Sequence, residues 1–212
     1  MKTFILLTIL CLALLSAPAW AQWSYDNGPI NGTTDAWTIN FGYIVSDSFL
    51  PNADTSVTDF SFGVWEFPGD SVSSVDWSIT ASENSGAVYG HGTASGGNLT
   101  DKFISTNQYG YNIDLISVTG LDVGVTSGPP FWLNLQNASV PSGDPVFWDE
   151  NSGAGCRSHG CPSSASESAI GTIPSEAFTI SSAIPEPSII LLFGSSAVCL
   201  IGMRRRKFRN RA

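Results

Sequence analysis

The stretch "DAWTINFGYIV", residues 35–45, is the clearest alternation of apolar and polar residues in the chain. Read at period 2, it places Trp37, Ile39, Phe41, Tyr43 and Val45 on one face and Ala36, Thr38, Asn40 and Gly42 on the other. Successive side chains of a strand point to opposite sides, so this pattern predicts one half-buried β-strand. Working outward, the same grammar recurs in "VTDFSFGVWEF" (57–67), "SVDWSIT" (74–80), "GAVYGHGTA" (86–94), "LTDKFIST" (99–106) and "YNIDLISVTG" (111–120). It continues in "LDVGV" (121–125), "FWLNLQNA" (131–138), "VFWDE" (146–150) and "EAFTIS" (176–181). Turn formers separate these runs: "NGPING" (27–32), "FPGD" (67–70), "SGGN" (95–98), "TSGPP" (126–130) and "PSGD" (141–144).

No window between residues 22 and 182 combines helical periodicity with a cap, and no internal repeat is visible. Short strands with regular turns over one domain length predict an all-β body spanning 22–182, an antiparallel β-sandwich of jelly-roll type. The serine- and glycine-rich segment 149–178 is expected to be a long surface connection.

Charge divides the chain into unlike parts. Residues 22–183 hold 17 Asp and Glu against only Lys102 and Arg157, a formal charge of −15, while six basic residues fall among the last nine positions. An acidic body lacks the cations that would neutralise phosphates, which argues against nucleic acid as a partner. Cysteine usage points to an oxidising compartment. Cys156 and Cys161 are expected to form a small disulfide loop. Zinc, with His159 lying between them, is the weighed alternative and lacks a fourth ligand.

Both ends carry targeting grammar. "MKTFILLTILCLALLSAPAWAQ" has a basic start at Lys2, an apolar run and the small-x-small exit Ala19-Trp20-Ala21. It reads as a signal peptide over 1–21, cut by signal peptidase. At the other end a spacer, 183–187, carries Pro185, Glu186 and Pro187. The uncharged run 188–203 follows, then a basic tail, 204–212. As a helix, residues 188–203 would be roughly 24 Å long, or about 30 Å if counted from Ile184, near the hydrocarbon thickness of a bilayer. Arg204, Arg205, Arg206 and Lys207 immediately after it orient the tail toward the cytoplasm.

This triplet, followed by a short apolar segment with Gly194 and Gly202 and then the arginine cluster, resembles the PEP-CTERM sorting domain. Cys199 within the apolar segment departs from the usual pattern. The resemblance implies a bacterial exported protein held transiently in the inner membrane. A membrane-embedded exosortase would then cut at or near Pro185-Glu186-Pro187 and release the body to the cell surface or a biofilm matrix. On that reading Arg204 to Lys207 serve as a stop signal, and exopolysaccharide is a candidate partner. The match covers about 28 residues and speaks to address alone.

Chemistry in the body is sparse. There is no G-x-S-x-G, and His91 and His159 sit in "GHG" and in the cysteine loop. Glu66 in "WEF" and Asp149 and Glu150 in "WDE" are the carboxylates best suited to a glycosidase pair, since aromatic neighbours raise a carboxyl pKa. Trp37, Trp77 and Trp132 lie on patterned strands and are expected in the core. Trp148, beside Asp149 and Glu150, is expected to be exposed, and these three are the candidate ligand contacts. Clustered Asp and Asn would suit Ca2+, although no D-x-[DN]-x-[DN]-G loop occurs and no metal ligands are assigned. Sequons at Asn31, Asn98 and Asn137 add little. The expected function is a non-catalytic surface or matrix component without a cofactor. A glycan-binding or calcium-dependent adhesive module is the alternative, ahead of a polysaccharide-active enzyme.

Overall fold

A computed structural model describes residues 23–183. The body is all-β, and every strand pairing in it is antiparallel. Its strands are β1 (Ser24–Asp26), β2 (Ala36–Thr38), β3 (Ile44–Phe49), β4 (Thr55–Glu66), β5 (Ser74–Ser82), β6 (Ser85–Ser95) and β7 (Leu99–Thr106). They continue with β8 (Asn112–Val125), β9 (Phe131–Ser139), β10 (Phe147–Asp149), β11 (Ala165–Glu167), β12 (Gly171–Ile173) and β13 (Phe178–Ala183). One 3-10 turn, Gly96–Asn98, joins β6 to β7. Among the described residues no helix is long and apolar enough to cross a membrane. The expected signal peptide, the Pro185-Glu186-Pro187 triplet, the apolar run 188–203 and the tail with Arg204, Arg205, Arg206 and Lys207 all lie outside the described residues.

Two sheets share one core. The first is organised by β4, which pairs with β8 along its whole length on one side. On its other side β13 covers residues 56–62 and β10 covers residues 64–65, with β1 beyond β13, β2 beyond β10 and β7 beyond β8. The second sheet runs β12-β11-β3-β9-β5-β6. Phe60, Phe62 and Val64 of β4 and Ile116 and Val118 of β8 face inward, opposite Phe49, Ile79, Phe131, Leu133 and Leu135 of the second sheet. Ring contacts link the layers: Tyr25 to Phe49 at 6.2 Å and Phe60 to Trp77 at 6.0 Å, with Phe49 and Phe131 stacked at 5.9 Å within the second sheet.

The 35–45 stretch differs from its sequence reading. It is two strands in different sheets, because the chain turns at Asn40-Phe41-Gly42, where Tyr43 N–H donates to Asn40 O at 3.1 Å. Phe41 (φ 56°) and Gly42 (φ 89°) are left-handed, so the alternation stops and Phe41 is 63% exposed while Ile39 is fully buried. A local period-2 pattern cannot distinguish a strand from a sheet-to-sheet corner, since both bury every second residue for part of their length. The corner is held from outside the stretch: Asn40 Nδ2 donates to Asp144 O, and Ile39 N–H to Val146 O.

The segment 149–178 departs from expectation as well. It contains β11 and β12, and β11 adds to β3 in the second sheet, so Ala165, Ser166 and Glu167 are buried. Backbone pairing against an existing edge does not require apolar side chains, so this composition concealed strands. The disulfide Cys156–Cys161 forms, with Cα atoms 5.9 Å apart. Both sulfurs are thereby consumed, which removes the zinc alternative. The candidates at 111–120 and 121–125 are one strand, β8, with a register shift opposite Val57 and Asp59.

Trp148 overturns its expected exposure. It is fully buried, packs edge-on against Phe62 at 5.8 Å and Phe178 at 5.7 Å, and its indole N–H donates to Ala177 O at 3.0 Å. Trp37 and Trp77 pack against the core half-buried, as does Trp132 in burial. Replacing Trp148 by Ala should cost about 3–5 kcal/mol, read as a lowered denaturation midpoint in urea.

Candidate functional site: buried carboxylates

Seven carboxylates are buried in the body: Asp47, Glu66, Asp114, Asp149, Glu150, Glu167 and Glu176. Lys102 and Arg157 both lie on the surface, so the buried acids depend on other partners.

Asp149 is satisfied by donors. Its carboxylate accepts from Trp65 Nε1 at 2.6 Å, Asn31 N at 2.8 Å and Gly32 N at 3.1 Å. These bonds draw the 27–32 turn across the outer face of β4. There Gly63 leaves room for Ile30, because a Cβ at Gly63 would lie 2.6 Å from Ile30 Cγ2. Burial raises the Asp149 pKa, and the three donors oppose that rise. Glu150 accepts from Trp37 Nε1 at 3.4 Å, and burial raises its pKa too. The candidate ligand contacts Trp148, Asp149 and Glu150 therefore come together through chain neighbourhood, yet all three point into packed structure.

A second group surrounds Asn27, which is fully buried. Its Nδ2 donates to Ser163 Oγ at 2.7 Å and Glu176 O at 2.7 Å, and Ser163 N–H donates back to Asn27 Oδ1 at 3.2 Å. Asp47 accepts from Glu176 N–H at 2.6 Å and from the Ser163 hydroxyl. Glu176, opposite Glu150 in an isolated bridge, has neither carboxyl oxygen hydrogen-bonded. Burial first, and then the Asp47, Glu150, Asp149 and Asp35 charges, hold the Glu176 pKa well above the carboxylate range. Burial does the same for Asp47 against its three hydrogen bonds.

The third group is Glu66, Asp101 and Asp114, on β4, β7 and β8, whose candidate ligand oxygens all lie within 4.8 Å of one another. Period 2 explains the meeting. Glu66 continues the inward row Phe60, Phe62, Val64, and Asp114 precedes Ile116 and Val118 in the inward row of β8. In register Val64 faces Asp114, and Phe103 faces Asp114 from β7, so Glu66 and Asp101 are both diagonal neighbours of Asp114. Val72 N–H donates to Asp101 Oδ2 at 2.7 Å. Glu66 is fully buried with both oxygens unpartnered, and Asp114 Oδ1 is also buried without a partner. Burial, then Asp114 and Asp101, pushes the Glu66 pKa up to about 10. Burial raises that of Asp101 as well.

Of the carboxylates singled out in sequence, Glu66 enters this trio while Asp149 and Glu150 belong to the other groups. Asp101 and Asp114 were missed. Their signal was an acid at an inward position of an otherwise apolar alternation. His91, on β6, and His159, in the disulfide loop, are exposed and belong to different elements.

Asp47 and Glu176 bind protons more readily folded than unfolded. Their contribution to stability is thus complete below the unfolded carboxylate pKa of about 4 and is lost as pH rises through the raised folded values. In chelator, the melting temperature should fall from about pH 5 to about pH 8. Glu176→Gln should flatten that slope and stabilise the protein at the upper pH by about 1–3 kcal/mol, measured by thermal unfolding across pH. No protein-family model matches the chain, and no curated protein matches it.

Proposed function

We propose that this chain is an exported bacterial surface or matrix protein, sorted by an exosortase, whose jelly-roll-like body is a non-catalytic scaffold. The observation that carries this reading is the order of devices after the body. The triplet Pro185-Glu186-Pro187 comes first, the uncharged run 188–203 follows, and the basic residues Arg204 to Lys207 come directly after it. The body supports the reading in two ways. It carries the Cys156–Cys161 disulfide, at home in an oxidising compartment, and two of the residues singled out as ligand contacts serve structure instead. Trp148 fills the core, while Asp149 fastens a loop.

One observation favours a glycan-binding module as the second reading. Trp65 and Tyr109 stack at 5.7 Å, with Phe67, Tyr111 and Phe147 adjoining, and Tyr109 is 58% exposed. Aromatic faces of this kind stack on neutral sugars, which an acidic body does not repel. Retention on a glycan array that is lost on Tyr109→Ala would favour it over the scaffold reading.

Sorting is tested in the native host. Mass spectrometry of the surface-released protein should find a chain ending near residues 185–187, without the arginine tail. Glu186→Ala should leave the uncut form in the membrane fraction. Recovery of released protein still carrying Arg204 to Lys207, or unaltered release of the variant, would overturn the proposal.

A further inference from the structure

We propose that Glu66, Asp101 and Asp114 form a calcium site that locks β4, β8 and β7 together at one end of the first sheet. This site stands apart from how the chain is sorted. The donor set is all carboxylate oxygen, the preference of hard cations, and it offers neither sulfur nor imidazole to a transition metal. Spacing permits one ion to reach all three, since oxygens at about 2.4 Å from a calcium ion lie no more than about 4.8 Å apart, and the three ligand atoms here lie within 4.8 Å of one another.

The second observation is what separates this trio from an ordinary acidic patch. Glu66 is fully buried, its oxygens meet no donor from outside the acidic trio, and it sits where the core alternation would place an aliphatic residue. Asp114 is 4% exposed and also leaves Oδ1 unpartnered. A buried carboxylate with no donor is costly, and among the described residues no lysine or arginine reaches it: Lys102 alternates outward from β7 beside Asp101. Asp101, half-buried, gives the site its contact with solvent. The ligands project from three hydrogen-bonded strands, so their spacing is fixed by the sheet rather than by a loop. That is why no calcium-loop motif marks it in the sequence.

The rival occupant is a proton, which would leave the trio as a shared carboxylic acid cluster. The two are separated by thermal unfolding of the full chain in detergent at neutral pH, in chelator, in calcium and in magnesium. Saturating calcium, at about a hundredfold excess over Kd, should raise the melting temperature by roughly 5–10 °C. Magnesium, which demands a smaller octahedral shell and dehydrates reluctantly, should raise it less. Glu66→Gln should abolish the calcium response while leaving the protein in chelator about as stable as the unaltered chain, since the neutral amide has nearly the shape of the protonated acid it replaces. Calorimetric titration with calcium should give one saturable site per chain, lost in Glu66→Gln and, should that variant fail to fold, in the half-buried Asp101→Asn. An unaltered chain that ignores calcium, a variant that keeps the full response, or an equal response to magnesium would each overturn the assignment.

Discussion

Burial of negative charge is the constraint around which this body is arranged. Seven carboxylates are buried in a domain whose only lysine and arginine lie at the surface, so among the described residues the usual remedy of a buried ion pair is absent from these groups. Each acid must be met by neutral donors, by a proton or by an added cation. The fold uses donors wherever backbone amides can be turned inward. Asp149 gathers Asn31, Gly32 and the Trp65 indole, and in doing so closes a loop over the outer face of β4. Asp47 gathers Glu176 N–H and Ser163, drawing the disulfide loop and the 175–176 segment onto β3. The acids are thus fasteners for the loops that supply their donors.

Where no donor reaches, the arrangement changes character. Glu176 and Glu66 are fully buried with bare oxygens, but their surroundings differ. Glu176 faces acids dispersed over several segments, whereas Glu66 has two carboxylates converging on it from adjoining strands. The first is relieved by a raised pKa alone, while the second also has the geometry to hold an ion. A cation at one end of the first sheet would stabilise the strands to which the rest of that sheet is added, since β4 is the strand paired with β8, β10 and β13.

Much of the fold could be read from alternation. The runs at 57–67, 74–80, 86–94, 99–106 and 131–138 are β4, β5, β6, β7 and β9 within two residues at each end, because each is bounded by turn formers; β6 and β7 alternate in sequence yet remain mostly exposed. The readings that differed did so where a neighbour, not the local sequence, sets the structure. Ala165–Glu167 becomes a strand because the β3 edge offers it hydrogen bonds, with little help from its own side chains. Trp148 is buried because β13 and β4 close over it, whatever its acidic neighbours suggest. Glu66 was visible as an acid beside aromatics, but its partners were not.

The sequence by itself determined the all-β class, the placement of most strands, the disulfide and the contrast between an acidic body and a basic C-terminal tail. These depend on period, turn chemistry, cysteine spacing and charge, all of which are local or compositional. Only the tertiary structure decided that residues 35–45 cross between sheets and which acids share a site. The first depends on contacts from Asp144 and Val146 that hold the corner, and the second on register: Asp101 and Asp114 meet Glu66 because β7, β8 and β4 pair with Phe103 and Val64 both facing Asp114. A shift of one residue in that pairing would turn the carboxylates to opposite faces. Pairing register is fixed by the whole sheet at once, so no single stretch of sequence contains it.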